Sequence, residues 1–511
     1  MKKHLKTLVL ALAFATVATP VYAGAGTMGF NGGISEGRRV PTTTERILNP
    51  SLNGRRSING TFEYQEMVFL DGRPELFRGE LTVSGGAVTA ADSGTFNVTH
   101  TVSGGVPEDD SDDATIVDRT ITFAVNWHRQ DDQVVKTYTM SSWAETITTW
   151  NGDVFTLVPE QSSFVVSIIE DHNPSAMFYR GHMSKRAVYE SEVGDRIIEA
   201  SGTIYGFDTP FSSTETQNID KWIVSPGWQM SYQLRPSVSV TSSLQFNDTT
   251  PTAISFFGNY MEVMTNRSVL AYDIFVVPQI THAISMQPSG STNINNRNHF
   301  AQLIAPDTTH LRGHFAERDI SRLFAQQILV GPTLHFAPSQ AMTRGEFITA
   351  VVRAIRLEVQ ATPARTNAFN RQNRIVFPDV LTDRPEYPYI MSAFRSGIAY
   401  GRNDGNFHVD VPIPREEVVV TLIRALGLEN VAPNPAPITP FVDGMQISDW
   451  ARREVYAAHS LGLIQGDENG NFRPRELVTK AEAAAFINRF IDYMREDLVR
   501  DYSERMVNFI W

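Results

Sequence analysis

Residues 466–482, with the sequence GDENGNFRPRELVTKAE, contain the pattern that decides the architecture of the C-terminal part of this chain. A polar, glycine-containing loop leads to Phe472, and a basic residue and a glutamate follow before a long apolar run. The same order occurs in residues 401–417, GRNDGNFHVDVPIPREE, and in residues 331–346, GPTLHFAPSQAMTRGE. In all three copies the basic residue lies eight positions after the phenylalanine, and the glutamate lies two positions further on. Such constant offsets predict a threefold internal repeat.

Each copy also has an aspartate upstream of its glycine and an amphipathic run after its basic residue. The aspartates are Asp307, Asp379 and Asp443. The runs are Phe347 to Leu357, Val418 to Leu428 and Ala481 to Ile491. Because apolar residues recur in these runs at helical spacing, we predict an α-helical C-terminal module.

These repeats resemble the S-layer homology family, whose signature is an F-x-D opening, an aromatic-Ala pair, a G-x-x-x-G-x-F loop and a T-R-A-E helix start. The openings here are Phe377-Pro378-Asp379 and Phe441-Val442-Asp443, and the aromatic-Ala pairs are Phe315-Ala316 and Trp450-Ala451. The helix starts are Thr343-Arg344-Gly345-Glu346, Pro414-Arg415-Glu416-Glu417 and Thr479-Lys480-Ala481-Glu482. The resemblance places the three repeats at residues 307–360, 375–430 and 439–495.

The repeats depart from the family pattern in several places. Repeat 1 has a shortened loop and lacks the opening phenylalanine, and repeat 2 lacks the threonine and the aromatic-Ala pair. Repeat 3 has Lys480 in place of arginine.

The resemblance implies a pseudo-threefold module that binds secondary cell-wall polysaccharide, often carrying pyruvate ketals, or another peptidoglycan-linked glycan. It also implies a protein at the cell wall, in or beside a surface layer, and it leaves self-association in such a layer open.

The helix starts have a structural explanation that covers only some of their residues. Thr343 with Glu346, and Thr479 with Glu482, have the spacing of a capping box, in which each side chain satisfies an amide of the first turn. The basic residue between them is not explained in this way. A cation at the first helical position is disfavoured by the helix dipole, by about 0.3–1 kcal/mol when exposed.

An acidic ligand would reverse this penalty, because free amides, the dipole and a guanidinium all favour a carboxylate at a helix start. We therefore predict that Arg344 and Arg415 contact an acidic sugar substituent. Lys480 is expected to be a weaker or non-binding variant, since it offers a point charge in place of a planar fork. The alternative is a surface arginine paired with a neighbouring aspartate.

Three further residues are candidates for polysaccharide binding. Trp450 has an aromatic face suited to stacking on a sugar ring, although such a residue can equally fill a repeat core. Asp379 and Asp443 are candidates to orient the basic residue, with capping of the following helix as the favoured alternative.

Residues 55–288 alternate between β-branched or aromatic residues and polar ones, and Asp71-Gly72 and Asn151-Gly152 are hairpin-turn signals. We predict an all-β region made of one or two sandwiches. Residues 24–54 are expected to form a polar lead-in, and residues 289–306 a linker. Residues 496–511 are predicted to be a helical tail that packs on the repeats.

The N-terminus has the features of a signal peptide over residues 1–23. Lys2, Lys3 and Lys6 precede a short apolar stretch, and Ala23 provides a small residue before a cleavage point at Gly24. The apolar stretch is too short to cross a bilayer, and no later segment is long and apolar enough. The sequence therefore predicts a secreted protein without a membrane span.

Charge and cysteine content exclude several classes of protein. The net charge of −12 lies mostly before the repeats: residues 24–300 hold 18 basic and 31 acidic side chains, and residues 301–511 hold 23 and 25. This distribution lacks the clustered positive charge of a nucleic-acid-binding protein. The chain has no cysteine, which excludes disulfides, thiolate metal sites and cysteine nucleophiles.

Known sequence motifs indicate neither a metal site nor a cofactor. The loop beginning at Asp467 has Val478 where a calcium-binding EF-hand has its glutamate, and His310 and His314 lack the glutamate of a zinc-protease motif. We predict a non-enzymatic surface protein whose acidic β region is structural or adhesive. The alternative is a wall-tethered enzyme that acts on polysaccharide through carboxylates of the β region.

Overall fold

The computed structural model describes residues 28–36, 59–88, 91–105, 114–246, 260–278, 287–294, 298–303, 306–359, 377–435 and 438–502. The predicted signal peptide, residues 1–23, lies outside these ranges. Within them, no helix combines the length and the apolar character that crossing a membrane requires.

The N-terminal part is all-β, as predicted, and its strands form one antiparallel sheet. The strands are β1 (Ile34–Ser35), β2 (Gly60–Val68), β3 (Glu75–Gly85), β4 (Ser93–Ser103), β5 (Ile116–Gln130), β6 (Gln133–Thr148), β7 (Val154–Leu157), β8 (Ser163–His172), β9 (Met177–Glu190), β10 (Arg196–Asp208), β11 (Ser212–Ser225), β12 (Trp228–Phe246), β13 (Tyr260–Val276), β14 (Ser289–Ile294) and β15 (Asn298–Gln302). Most strands pair with their sequence neighbours, and β8 joins β6 to β9 while β15 joins β13. Short turns explain this order, since Gly72 and Gly152 have φ values of 86° and 87° that suit tight hairpin connections.

The predicted sandwich is not confirmed, because the strands do not divide into two sheets. The single sheet curves until its ends approach each other, and the side chains of Ser268 and Asn266 in β13 donate hydrogen bonds to the carbonyls of Ser35 and Glu36. Alternating residues of each strand face the enclosed core, as the burial pattern of β5 shows. This alternation is the same in a sandwich and in a curved single sheet, so the sequence pattern could not distinguish them.

The predicted lead-in is wrong over residues 28–36, which lie inside the sheet. Met28 and Ile34 are fully buried, and the Phe30 ring packs against Phe123 at a centroid distance of 5.9 Å. The carbonyl oxygen of Asn31 accepts a hydrogen bond from Lys221 at 2.9 Å. This segment crosses the core mostly as an irregular chain, with turns and one two-residue strand. Its glycine-rich sequence therefore shows no apolar periodicity.

The predicted linker is also wrong, because residues 289–306 contain β14 and β15. Both strands pair with β13. Their sequence is polar because they lie at the edge of the sheet and only Ile294 is buried among their residues.

The C-terminal part is helical, as predicted. Its helices are α1 (Glu317–Ala325), α2 (Arg344–Ala354), α3 (Tyr387–Arg395), α4 (Arg415–Leu426), α5 (Arg452–Ser460), α6 (Lys480–Glu496) and α7 (Leu498–Asp501). Helices α2, α4 and α6 contact one another at the centre. Each also packs against the first helix of the next repeat, α2 with α3, α4 with α5, and α6 with α1. This cyclic packing gives the pseudo-threefold arrangement that the family resemblance implies.

The helical and β parts share an apolar core. Arg356 donates hydrogen bonds to the carbonyl of Pro210 at 2.7 Å and to Glu262 at 3.0 Å. The ring of Tyr502, in the predicted tail, stacks on Phe178 of β9 with centroids 3.6 Å apart. The described part of the tail therefore packs on the β region as well as on the repeats.

A buried carboxyl pair adjoins the first hairpin turn. Thr115 donates a 2.5 Å hydrogen bond to Glu75, and Arg73 donates a 3.0 Å hydrogen bond to Asp71. Burial, together with the hydrogen bond and charge of Asp71, raises the pKa of Glu75 to about 8. Glu75 is therefore protonated in the folded protein at neutral pH.

This raised pKa predicts a loss of stability as the pH rises. The stabilisation is fully present below the unfolded-state pKa, about 4.3, and it is lost progressively until the pH has passed the folded-state pKa of about 8. Glu75→Gln removes the titrating proton, so we expect its melting temperature to fall less than that of the wild type between pH 5 and pH 8.5. Differential scanning calorimetry across this range measures the difference. Glu80→Gln, on the exposed face of the same strand, is the control, and equal losses in wild type and Glu75→Gln would contradict the prediction.

Candidate functional site

The candidate site is built on the starts of α2, α4 and α6. At α2 the Thr343 hydroxyl accepts a hydrogen bond from the Glu346 amide at 3.2 Å, and Glu346 accepts one from the Thr343 amide at 3.0 Å. Thr479 and Glu482 form the same capping box at α6, with distances of 3.2 and 2.9 Å. Helix α4 begins after Pro414, which provides no side-chain cap.

The backbone amides at these helix starts are already hydrogen-bonded to the following repeat. The Arg344 amide donates to the Val411 carbonyl and the Gly345 amide to the Val409 carbonyl, both at 2.9 Å. The equivalent bonds run from Arg415 to Glu476, Glu416 to Pro474, Lys480 to Gln340 and Ala481 to Pro338. The expectation that free amides await an anion is therefore wrong, because the repeats use them to join one another.

The basic residues form a cyclic set of ion pairs between repeats. The pairs are Arg344 with Glu417, Arg415 with Glu482 at 2.7 Å, and Lys480 with Glu346 at 2.7 Å. Each glutamate lies in the first turn of its own helix and receives the cation of the preceding repeat. The sequence analysis gave an arginine paired with a neighbouring aspartate as the alternative to ligand binding. The basic residues are indeed paired, but their partners are glutamates of the next repeat.

The three basic side chains differ in their surroundings. The Arg344 side chain is only 5% exposed, and it also donates to the Tyr400 carbonyl at 3.1 Å. Its guanidinium lies 4.5 Å from the centroid of the Phe407 ring. The side chains of Arg415 and Lys480 are 21% and 16% exposed. Arg415 and Lys480 are therefore more accessible to a ligand than Arg344.

Asp379 and Asp443 hold loops through hydrogen bonds to backbone amides. Asp379 accepts hydrogen bonds from the amides of Phe407 at 2.8 Å and His408 at 2.6 Å. Asp443 makes the equivalent bonds to the amides of Phe472 and Arg473, both at 2.7 Å. These bonds fix the glycine-containing loop at the point where the chain turns through a left-handed residue, with φ of 62° at His408 and 57° at Arg473. Both oxygens of each carboxylate thus have a structural role.

Trp450 lies on the surface and does not fill a repeat core, since it is 52% exposed. Its segment is attached to the start of α4, because Glu416 accepts hydrogen bonds from the amide and hydroxyl of Ser448 at 3.0 and 2.8 Å. Glu416 follows Arg415 in the chain, so the segment with Trp450 is attached to the helix start that carries Arg415. Phe315 holds the equivalent position before α1 and is also exposed.

The sequence did not predict that Glu417 and Tyr400 contact Arg344, or that Ser448 bonds to Glu416 at the start of α4. A glutamate recurs two positions after each basic residue, and this regularity was visible. The partner of each glutamate was not visible in the sequence, because the ion pairs join different repeats and depend on how the helices pack.

Comparison with known proteins agrees with the repeat geometry. The family model of the S-layer homology domain matches residues 376–419 and 440–484. The chain therefore carries S-layer homology domains over its second and third repeats.

Several relatives match over part of the chain. An amylopullulanase of Thermoanaerobacterium thermosulfurigenes is 30% identical over 39% of this chain and 10% of its own length. The surface-layer 125 kDa protein of Lysinibacillus sphaericus is 26% identical over 31% of this chain and 12% of its own length. The S-layer protein of Bacillus thuringiensis subsp. finitimus is 26% identical over 30% of this chain and 17% of its own length. The chain thus spans only a small part of these relatives, and the match to the enzyme runs through the repeats.

Proposed function

We propose that this cell-surface protein is held non-covalently to a wall polysaccharide by its S-layer homology repeats, and that it displays the acidic β region. The location at the cell surface follows from the repeats and from the surface-layer relatives. The β region has a structural or adhesive role in this proposal. The similarity to glycan-cleaving enzymes runs through the repeats, so it transfers no activity to the β region.

The observation that supports this proposal best is the state of Arg415. Its Nη2 atom pairs with Glu482, while its Nε atom is buried and has no hydrogen-bond partner among the described residues. An unsatisfied donor on a charged group is costly, and a ligand oxygen would satisfy it once the side chain, which is 21% exposed, turns towards the ligand. Trp450 is 52% exposed and lies on the segment attached to the same helix start, so we place the ligand in a groove between Arg415 and the Trp450 ring, which offers a stacking surface for a sugar.

An acidic glycan fits this groove better than a neutral one. A guanidinium with an unused donor suits a carboxylate, such as that of a pyruvate ketal, and the resulting bond is charge-assisted. The Glu482 carboxylate already neutralises part of the Arg415 charge. We therefore expect moderate affinity at each groove and an added contribution from Lys480 when several grooves bind one polymer.

Binding of the full chain to cell-wall sacculi tests this proposal. We expect tight co-sedimentation that disappears when the wall polysaccharide is chemically removed. Arg415→Ala should weaken binding at least tenfold, because it removes the cation and the free donor together. Arg475→Ala, which removes an exposed cation from the loop of repeat 3, is the matched control and should bind as the wild type does. Retention on stripped sacculi, or equal binding by Arg415→Ala and the control, would refute the proposed anchor.

A further inference from the structure

A depression of about 590 Å³ opens on the outer face of the β region, across strands β9 to β13. Its floor contains the small side chains Ser184, Ser201 and Ser231, and the larger side chains of Trp222 and Phe275 border it. We call this depression, defined by these five residues, the Trp222 trough. It lies in the sheet and uses none of the residues of the repeats.

Strand register fixes the shape of the trough. Trp222 of β11 lies opposite Ser231 of β12, and β12 pairs with β13, which carries Phe275. The two aromatic residues are therefore two strand spacings apart, about 9.5 Å, with a serine between them. A slot of this width accepts a flat ring of pyranose size between or beside the aromatic faces.

The two aromatic side chains of the trough are exposed on the outer face of the sheet. Trp222 is 36% exposed and Phe275 is 64% exposed, although their strands bury other residues on the core side. Neighbouring Ile223 is fully buried, so the strand does not need Trp222 for packing. Two large apolar side chains facing a common depression in water indicate a binding surface.

Polar side chains border the same depression in fixed positions. Arg186 and Glu199 form an exposed ion pair at 2.5 Å, and Gln233 donates a 2.8 Å hydrogen bond to Asp220. Cross-strand pairing holds these groups, and their remaining donors and acceptors face solvent. Such planar groups beside aromatic faces match the equatorial hydroxyls and the apolar face of a hexose.

The charge of the trough selects among glycans. Lys185 and Lys221 also line the depression, but their amines point into the core and bond to Asn31. On the outer face Arg186 offsets Glu199, and Asp220 leaves one net negative charge, so an anionic polymer is disfavoured here. This contrasts with the basic grooves of the repeats. We propose that the Trp222 trough binds a neutral oligosaccharide, with Trp222 and Phe275 stacking on sugar rings and Glu199, Asp220 and Arg186 bonding to hydroxyls.

Affinity electrophoresis of the full chain tests this inference, in native gels that contain hydroxyethyl cellulose, amylose, xylan, galactomannan or mannan. We expect one or more of these neutral polymers to retard the protein. Trp222→Ala should weaken the binding at least tenfold, and Ser201→Trp should do the same by filling the trough while leaving Trp222 in place. Circular dichroism shows whether each variant is folded.

Two controls make the outcome decisive. Phe300→Ala removes an aromatic residue from β15 of the same sheet whose exposure, 61%, is close to the 64% of Phe275, and it should bind as the wild type does. Arg415→Ala should also be retarded normally, because the anchor groove is separate. The inference is overturned if no polymer retards the chain, if both trough variants bind normally, or if Arg415→Ala abolishes retardation.

Discussion

Arg119→Met is expected to lower the free energy of unfolding of the protein by about 3–5 kcal/mol, because it leaves two carboxylates unpaired in the core of the β region. The Arg119 side chain is 3% exposed, and its Nη2 atom lies 2.6 Å from both Glu66 and Glu145. Trp143 donates a 2.8 Å hydrogen bond to Glu145. Urea unfolding followed by tryptophan fluorescence measures the loss, with Trp143 among the reporting residues.

A compensated variant separates the unpaired charges from the lost packing. Arg119→Met/Glu66→Gln/Glu145→Gln removes all three charges, and we expect it to recover most of the stability lost in the single variant. If the triple variant is as unstable as Arg119→Met, packing and not charge explains the loss. A single-variant loss below about 1 kcal/mol would show that the ion pairs are not needed for stability.

The same cluster predicts the behaviour of the β region in acid. Burial alone would raise the pKa of Glu66, but the charge and hydrogen bonds of Arg119 outweigh this effect and lower that pKa to about 2. A lowered folded-state pKa stabilises the protein above the unfolded-state pKa, about 4.3, and this stabilisation is lost as the pH falls towards 2.

Arg344→Ala is expected to cost about 3 kcal/mol of unfolding free energy, whereas Arg415→Ala is expected to cost less than about 1 kcal/mol. The difference arises from burial, since the Arg344 side chain is 5% exposed and the Arg415 side chain is 21% exposed. Removing Arg344 leaves Glu417 with only the more distant Arg402, 3.7 Å away, and removes this donor from the Tyr400 carbonyl in the interface between repeats 1 and 2.

Thermal unfolding of the two variants measures this asymmetry, and Arg475→Ala provides the baseline for losing one exposed cation. The result also decides which variant is a clean test of the anchor. If Arg415→Ala is nearly as stable as the wild type, its loss of wall binding reports on the ligand. Equal destabilisation of both variants would show that burial does not distinguish the members of the ion-pair ring.

The local features of the repeats could be predicted because they depend on neighbouring residues. Thr343 and Glu346 are three positions apart, and the capping box between them needs only the first turn of a helix. The Asp71-Gly72 and Asn151-Gly152 turns likewise depend on the backbone preferences of adjacent residues. Strand and helix positions follow from apolar spacing, so the division into a β part and a helical part was visible.

Features that join distant residues could not be predicted in this way. Lys480 pairs with Glu346 across 134 positions, so the role of the basic residue as a link between repeats appeared only in the packed structure. Asp379 offers no sequence signal that it will bind the amides of a loop 28 positions away. Lys480 was expected to face a ligand, and Asp379 was expected to orient a basic residue or cap a helix, because the neighbouring sequence indicates no distant partner.

The sequence by itself determined the repeat count, the helix starts, the strand-rich half and the resemblance to S-layer homology domains. These follow from periodicity, capping and turn preferences, which act over a few residues. Only the tertiary structure decided that the strands form one curved sheet, that residues 28–36 lie in its core, and that the Arg344 side chain, 5% exposed, is buried more deeply than that of Arg415, 21% exposed. Burial and ion pairing depend on which distant surfaces meet, and the free energy of those contacts is set by the whole packed chain.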